Sequence, residues 1–313
     1  MANNTAYVAD RTANRLYAFD LVAFTTSFVA VGSDPLLCSM KPDGTEVWVA
    51  NRAGGSISVV DTATLTVTHT ITTGIPTNPN QIAFANDGSA AYLAAAGASG
   101  VVVISTSTYA VTGTLTTTGT VLGFVVSNPV VGQLAVSTTP GTSSFQMVSI
   151  PGGGLSSVVA VGGLTNSGCL AYLANGDQLY IVDGLSPRIW IFDPTTLAPI
   201  TNFSPTANSM FSGVSNTDSS RFYFTNDTDL YYAAYPGNAV TTVGALPNPG
   251  AQCRGMAITG DNTQLVITDT NNNRVYVYSQ PGLVLQHTFN GGSNPWGVVC
   301  TPRTPPPAIV MIV

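Results

Sequence analysis

Chemistry in this chain would have to come from very few side chains. His69 and His287 are its two histidines, Lys41 is its one lysine and Glu46 its one glutamate. The histidines stand in matching contexts, His69-Thr70-Ile71 and His287-Thr288-Phe289. A repeated context points to a repeated structural position, so neither is expected to act as a general base. The sequence holds no nucleophile elbow, no His-Glu-x-x-His metal motif and no Gly-rich phosphate loop.

Cys38, Cys169, Cys253 and Cys300 lack the paired two-residue spacing of zinc and redox sites. They fall in or near strands of one repeat position, so small buried thiols are the favoured reading. A disulfide among Cys38, Cys253 and Cys300 stays geometrically conceivable. Asp227 and Asp229, in Asn226-Asp227-Thr228-Asp229, alternate as carboxylates in a calcium loop do. Calcium needs six to eight oxygens and usually a closing Glu, which is missing, so this is a weak metal candidate and no metal or other cofactor is expected.

The elements that position these residues repeat. Residues 34–74 read as four short strands separated by Asp43-Gly44, Gly54-Gly55 and Thr62-Ala63-Thr64. Strands of five to seven residues rich in Val, Ile, Thr and Trp, with such turns, make an antiparallel meander. The rest of the chain repeats this unit at propeller-blade spacing, about forty to forty-six residues. The expected architecture is all-β, a seven-bladed propeller of four-stranded antiparallel blades over residues 1–303. The blades span 33–74, 75–119, 120–162, 163–205, 206–246 and 247–292, with the first built from 6–32 plus 293–302. Residues 6–32 lack an inner strand, and Asn294-Pro295-Trp296 matches the strand starts at Pro35 and Pro79, so the C-terminal strand is expected to close the ring.

Pro35, Asp43-Gly44, Trp48-Val49-Ala50-Asn51 and Val59-Val60-Asp61 together resemble the YVTN family of β-propeller repeats. The stretch from Asp269 through Arg274 to Tyr278 resembles NHL-type repeats as well. The wider group includes lactonases, quinoprotein-like enzymes, surface-layer proteins and interaction scaffolds, so the resemblance implies fold more than function. Its phosphogluconolactonase branch implies a histidine and several charges at the channel mouth, where this sequence offers Arg254 and Asp34 without a histidine.

The starts of the inner strands place Asp34, Asn80, Asn166, Asn208, Arg254 and Trp296 around one mouth of the channel. Arg254 and Trp296 share a repeat position in adjacent blades, which suits a cation–π contact and a glycan or protein ligand. Asp10 with Arg15, Asp183 with Arg188 and Asp269 with Arg274 recur at one separation, read as an Asp–Arg clasp between the second and third strands.

Only 8% of residues are charged, against a usual quarter or so. A net charge of −6 argues against nucleic acid and anionic membranes as partners. No apolar run is long enough for a membrane span, and Met1-Ala2-Asn3-Asn4-Thr5 runs into a strand with no signal peptide visible. A Thr/Asn/Ser-rich surface is associated with extracellular, cell-surface and virion proteins. After Pro305-Pro306-Pro307 come Ala308 and the apolar residues Ile309, Val310, Met311, Ile312 and Val313. This spacer and tail, 304–313, reads as an attachment element for a protein partner or assembly. The expected function is a non-catalytic binding or structural module displayed on a surface; the alternative is a lactonase-like enzyme working at the channel mouth.

Overall fold

The computed structural model describes residues 4–138, 144–161, 167–184, 188–204, 210 and 212–302. Within them the chain forms seven four-stranded antiparallel sheets, which are the blades of a seven-bladed propeller. The first sheet has the order Pro295–Cys300, Thr5–Asp10, Arg15–Asp20, Thr26–Ala30, so the C-terminal strand is the inner strand of the N-terminal blade. Its register sets Tyr7 opposite Val299 and Val8 opposite Val298. Two further backbone bonds, Arg11 N–H to Asn294 and Thr301 N–H to Thr5, extend the closure at both ends.

Burial follows strand position within the blade. Every residue of the second strand Thr5–Asp10 is buried, because a neighbouring blade covers each of its faces. In the outer strand Thr26–Ala30 almost every residue is exposed. Hence apolar residues continue without alternation in second strands, while Thr is the commonest residue of the outer ones. The seven apolar clusters found among the described residues each lie between two adjacent blades, for example Trp48 and Ile57 against Phe84 and Leu93. The ring is therefore held mainly by side-chain packing between sheets: strand pairing stays within each blade, and a few loop bonds such as Gly97 N–H to Val121 and Gly260 N–H to Thr301 cross from one blade to the next.

Near the axis the inner strands crowd. A Cβ at Gly297 would lie 2.8 Å from Leu37 Cα, and one at Gly255 would collide with the Trp296 carbonyl oxygen. Glycine allows the strands of three successive blades to approach at this point. The four cysteines occupy inner strands as free thiols. Cys38 Sγ sits 3.5 Å from the carbonyls of both Tyr7 and Gly297. Burial pushes its thiol up to about 12 and that of Cys169 to about 11, leaving both protonated at neutral pH.

Both histidines lie on outer strands and make equivalent contacts. His69 stacks on Tyr109 of the next blade at 3.7 Å between ring centroids, and His287 stacks on Phe24 at 4.3 Å. Tyr109 and Phe24 each occupy the loop between the third and outer strands of their blade. The repeated His-Thr context thus encodes an interblade stack at the rim.

The blade turns are tied by aspartates. Asp61 accepts the Thr64 N–H and hydroxyl, Asp87 those of Ser89, and Asp193 the N–H groups of Thr195 and Thr196. These bonds favour the carboxylate form and hold the three groups below their ordinary value. A folded pKa below the unfolded one contributes stability above the unfolded value, near 3.8, and loses it as pH falls through the folded one. Thermal unfolding followed from pH 7 to pH 2 should show a plateau down to about pH 4 and a decline below it. A melting temperature that does not fall below that point would refute the role of these turns.

In the first and seventh blades the recurring Asp-to-Arg spacing does not form the expected clasp. Asp10 is fully buried and its carboxylate accepts the N–H groups of Thr12, Ala13, Ser293 and Asn294. Asp269, also buried, accepts the N–H groups of Gln252 and Asn272 and the Tyr276 hydroxyl. Arg15 stacks on Phe28 at 4.0 Å and Arg188 on Trp190 at 5.3 Å, while Arg274 donates to the Asn273 carbonyl. Asp10 and Asp269 sit where converging loop amides would otherwise be buried unbonded, and Arg15, Arg188 and Arg274 stay half-buried beside aromatic rings or backbone. The tie runs from the second strand to the loop leading into the inner strand.

Candidate functional site

All inner strands start from the same mouth of the channel. Asn80, Arg254 and Trp296 are each the second residue of their inner strand, Pro79–Phe84, Cys253–Ile258 and Pro295–Cys300, and Asp34 directly precedes Pro35–Met40. Second strands run the other way and end at this mouth. The residue following them is therefore also delivered here: Arg11 in the first blade and Arg52 in the second.

These residues, with Asp227, form a chain of contacts across four blades. Asp227 Oδ1 accepts from Arg254 Nη1 at 3.1 Å, and the Arg254 guanidinium carbon lies 5.7 Å from the centre of the Trp296 ring. The Arg11 guanidinium carbon lies 4.5 Å from the same ring. Arg11 then donates to both oxygens of Asp34, Nε to Oδ1 at 2.6 Å and Nη2 to Oδ2 at 3.0 Å. A bidentate Arg–Asp pair fixes the guanidinium plane, and the ring quadrupole attracts both cations. Trp296 is consequently held in place by two arginines, each anchored by its own aspartate. Burial raises the Asp227 carboxyl and the neighbouring Arg254 charge opposes the rise.

Below this ladder the channel opens into a cavity of about 410 Å³. Among the described residues, Arg11, Arg52 and Arg254 line it, three of the nine cationic side chains of an acidic protein, and no carboxylate does. Leu37, Leu122, Phe124, Leu170 and Met256 supply apolar wall. The volume is within the range of small-molecule sites, roughly 300 to 1,000 Å³, and mixed apolar and polar lining is typical of them.

The sequence-predicted residues divide three ways. Arg254 and Trp296 meet as expected, and Asp34 joins them through Arg11. Asn80 is turned aside: it is buried, and its amide nitrogen donates to the Gly123 carbonyl of the next blade at 3.0 Å. Asn166, Asn208 and the tail residues Ile309, Val310, Met311, Ile312 and Val313 lie outside the described residues. Asp227 and Asp229 do not converge on a common point: Asp227 holds Arg254, and Asp229 Oδ2 accepts from the Thr228 hydroxyl. Among the described residues no group of three or more His, Cys, Asp or Glu side chains is placed to hold a metal ion. No helix in them is long and apolar enough to cross a membrane.

Arg11 and Arg52 are additions from the structure. The signal that marks them is the alignment of Asp10-Arg11 with Asn51-Arg52 at the end of the second strand, next to the residues that tie the loops.

Fold and site define a seven-bladed β-propeller with a polar, arginine-lined mouth on an apolar channel. No family model matches the chain, and no curated protein matches it by sequence. Solved structures do match. The chain is similar to a functionally unknown protein from Desulfotomaculum acetoxidans DSM 771, with a TM-score of 0.78 and 14% identity over 96% of this chain and 100% of that one. It is also similar to Kuenenia stuttgartiensis hydrazine synthase, with a TM-score of 0.75 and 16% identity over 88% of this chain and 92% of that one. A third likeness is to dihydro-heme d1 dehydrogenase NirN in complex with DHE, with a TM-score of 0.66 and 14% identity over 94% and 74%. At these identities the likeness concerns the fold alone, and the fold serves enzymes and other proteins alike.

Proposed function

We propose that this protein is a non-catalytic binding module of the YVTN-type propeller kind, displayed outside a cell or on a virus particle. It presents the channel mouth to a protein or glycan and is attached through the opposite face. The observation that carries this reading is the ladder from Asp227 through Arg254, Trp296 and Arg11 to Asp34. Its charged groups are committed to holding one aromatic surface, which serves recognition better than proton transfer.

The direction of the chain supports the attachment side. Pro295–Cys300 runs away from the mouth and Thr5–Asp10 runs towards it, so Thr5 and Thr301, bonded to each other, mark the far face. Residues 304–313 follow from there, and the proposal gives them the anchoring role.

Binding to a glycan array by the full chain, by Trp296→Ala and by a chain ending at Pro302 tests the reading. Retained glycans are expected to be lost by Trp296→Ala and kept by the shortened chain, whose assembly or attachment weakens instead. Glycan binding that survives Trp296→Ala, or a shortened chain that melts far lower with its association state unchanged, would overturn it.

A further inference from the structure

The mouth carries a charge that its own carboxylates leave uncompensated. Arg11 is paired with Asp34 and Arg254 with Asp227, both at hydrogen-bonding distance. Arg52, the third guanidinium lining the cavity, is exposed and bonds through its backbone N–H to the Asp34 carbonyl. No carboxylate lies among the residues that line the cavity with it. A protein of net charge −6 has thus gathered a local excess of positive charge at the rim of an apolar channel.

The wall below is the second observation. Leu37, Leu122, Phe124 and Met256 make it largely apolar. Ser212, 4% exposed, also lines it, and its buried hydroxyl has no hydrogen-bond partner among the described residues. A buried polar atom without a partner is costly, and such atoms are uncommon in native proteins. The residue borders a space large enough for a ligand of drug-like size, with the hydroxyl oxygen itself covered.

Resting on the reading of the mouth as a binding site for a protein or glycan, we propose that the channel beneath its rim takes in addition a small organic carboxylate with an apolar body. The carboxylate meets Arg52 at the rim, and the apolar portion enters the channel past Trp296. Arg11 and Arg254 hold the ring and keep the approach cationic. The planar fork of a guanidinium suits a carboxylate, and a single positive excess selects a monoanion over a neutral molecule of the same shape. The apolar wall in turn selects a body of several carbons over acetate.

The test is calorimetric titration of the full chain with 4-phenylbutyrate, 4-phenylbutyramide and acetate, repeated with Arg52→Gln and Trp296→Phe, with thermal unfolding of each variant as the check on folding. Phenylbutyrate is expected to bind, with the amide and the Arg52→Gln variant each weaker by about ten- to a hundred-fold, the range for a hydrogen bond to a charged group. Acetate is expected to show no heat of binding. Equal affinity for acid and amide, or an Arg52→Gln variant that folds and binds like the wild type, overturns the carboxylate assignment. If the amide still loses affinity in Trp296→Phe, the mouth remains a binding site of another chemistry. Absence of binding by both phenyl compounds also overturns the carboxylate, and the glycan array then decides the wider reading independently.

Discussion

Asp10→Ala should destabilise the propeller by about 3 to 5 kcal/mol. One carboxylate serves four backbone amides, those of Thr12 and Ala13 on its own loop and of Ser293 and Asn294 on the strand that closes the ring. Each buried donor left unsatisfied costs roughly 1 to 3 kcal/mol, and partial relaxation of the two loops keeps the total below the sum. The loss falls on the junction between the chain's two ends, where Pro295–Cys300 meets Thr5–Asp10. Urea unfolding of the variant should show the lower midpoint, with a melting temperature lower by roughly 5 to 8 °C. Asp20→Ala is the control. Asp20 also accepts two amides, Val22 and Ala23, but in an exposed turn, so its removal should cost about 1 kcal/mol or less. Equal effects of the two substitutions would show that Asp10 does not hold the closure.

Trp48→Ala should cost a similar amount, about 3 to 5 kcal/mol, by opening a cavity between the second and third blades. The ring is fully buried and meets Phe84 edge-on at 5.4 Å between centroids. Its Nε1 donates to Glu46 Oε2 at 2.8 Å, and Tyr109 of the neighbouring blade donates its hydroxyl to Glu46 Oε1 at 2.7 Å. The hydrogen bond to Glu46, with burial and nearby acidic charge adding to it, raises the Tyr109 hydroxyl to about 12. The one glutamate of the chain therefore couples two blades through two aromatic residues. Trp48→Phe keeps most of the apolar contact and gives up the indole bond, so its cost should be about 1 to 2 kcal/mol. Urea unfolding of the two variants separates the packing contribution from the polar one, and a Trp48→Phe as damaging as Trp48→Ala would assign the effect to Glu46 instead.

Much of the ring was legible because its signals are periodic. Strand type, turn residues and blade spacing repeat, and Asn294-Pro295-Trp296 could be matched to Pro35 and Pro79 without knowing any contact. What sequence reading misassigned was interaction across blades. Asp10 reads most simply as a partner for Arg15, since opposite charges five positions apart are visible along the chain. Its actual partners include amides 283 and 284 positions away, and backbone amides leave no mark in a sequence. Arg11 was missed for a related reason: Asp34 and Trp296, which define its position, come from the second blade and from the last strand of the chain. Asn80 shares the register of Arg254 and Trp296, yet the close approach of the next blade at Gly123 draws its amide sideways. Repeat position predicts which face a residue reaches; the neighbouring blade decides whether its side chain stays there.

The mouth around Trp296 is proposed to bind without transforming what it holds. Incubating the full chain with sugar lactones and with the array ligands it retains, and analysing what is recovered against Arg254→Ala and Asp34→Ala variants, tests that claim directly. Every compound is expected to be recovered unchanged from all three proteins, while retention is lost in the variants. Hydrolysis of a lactone by the wild type that disappears in Arg254→Ala or Asp34→Ala would contradict it and make the mouth an active site.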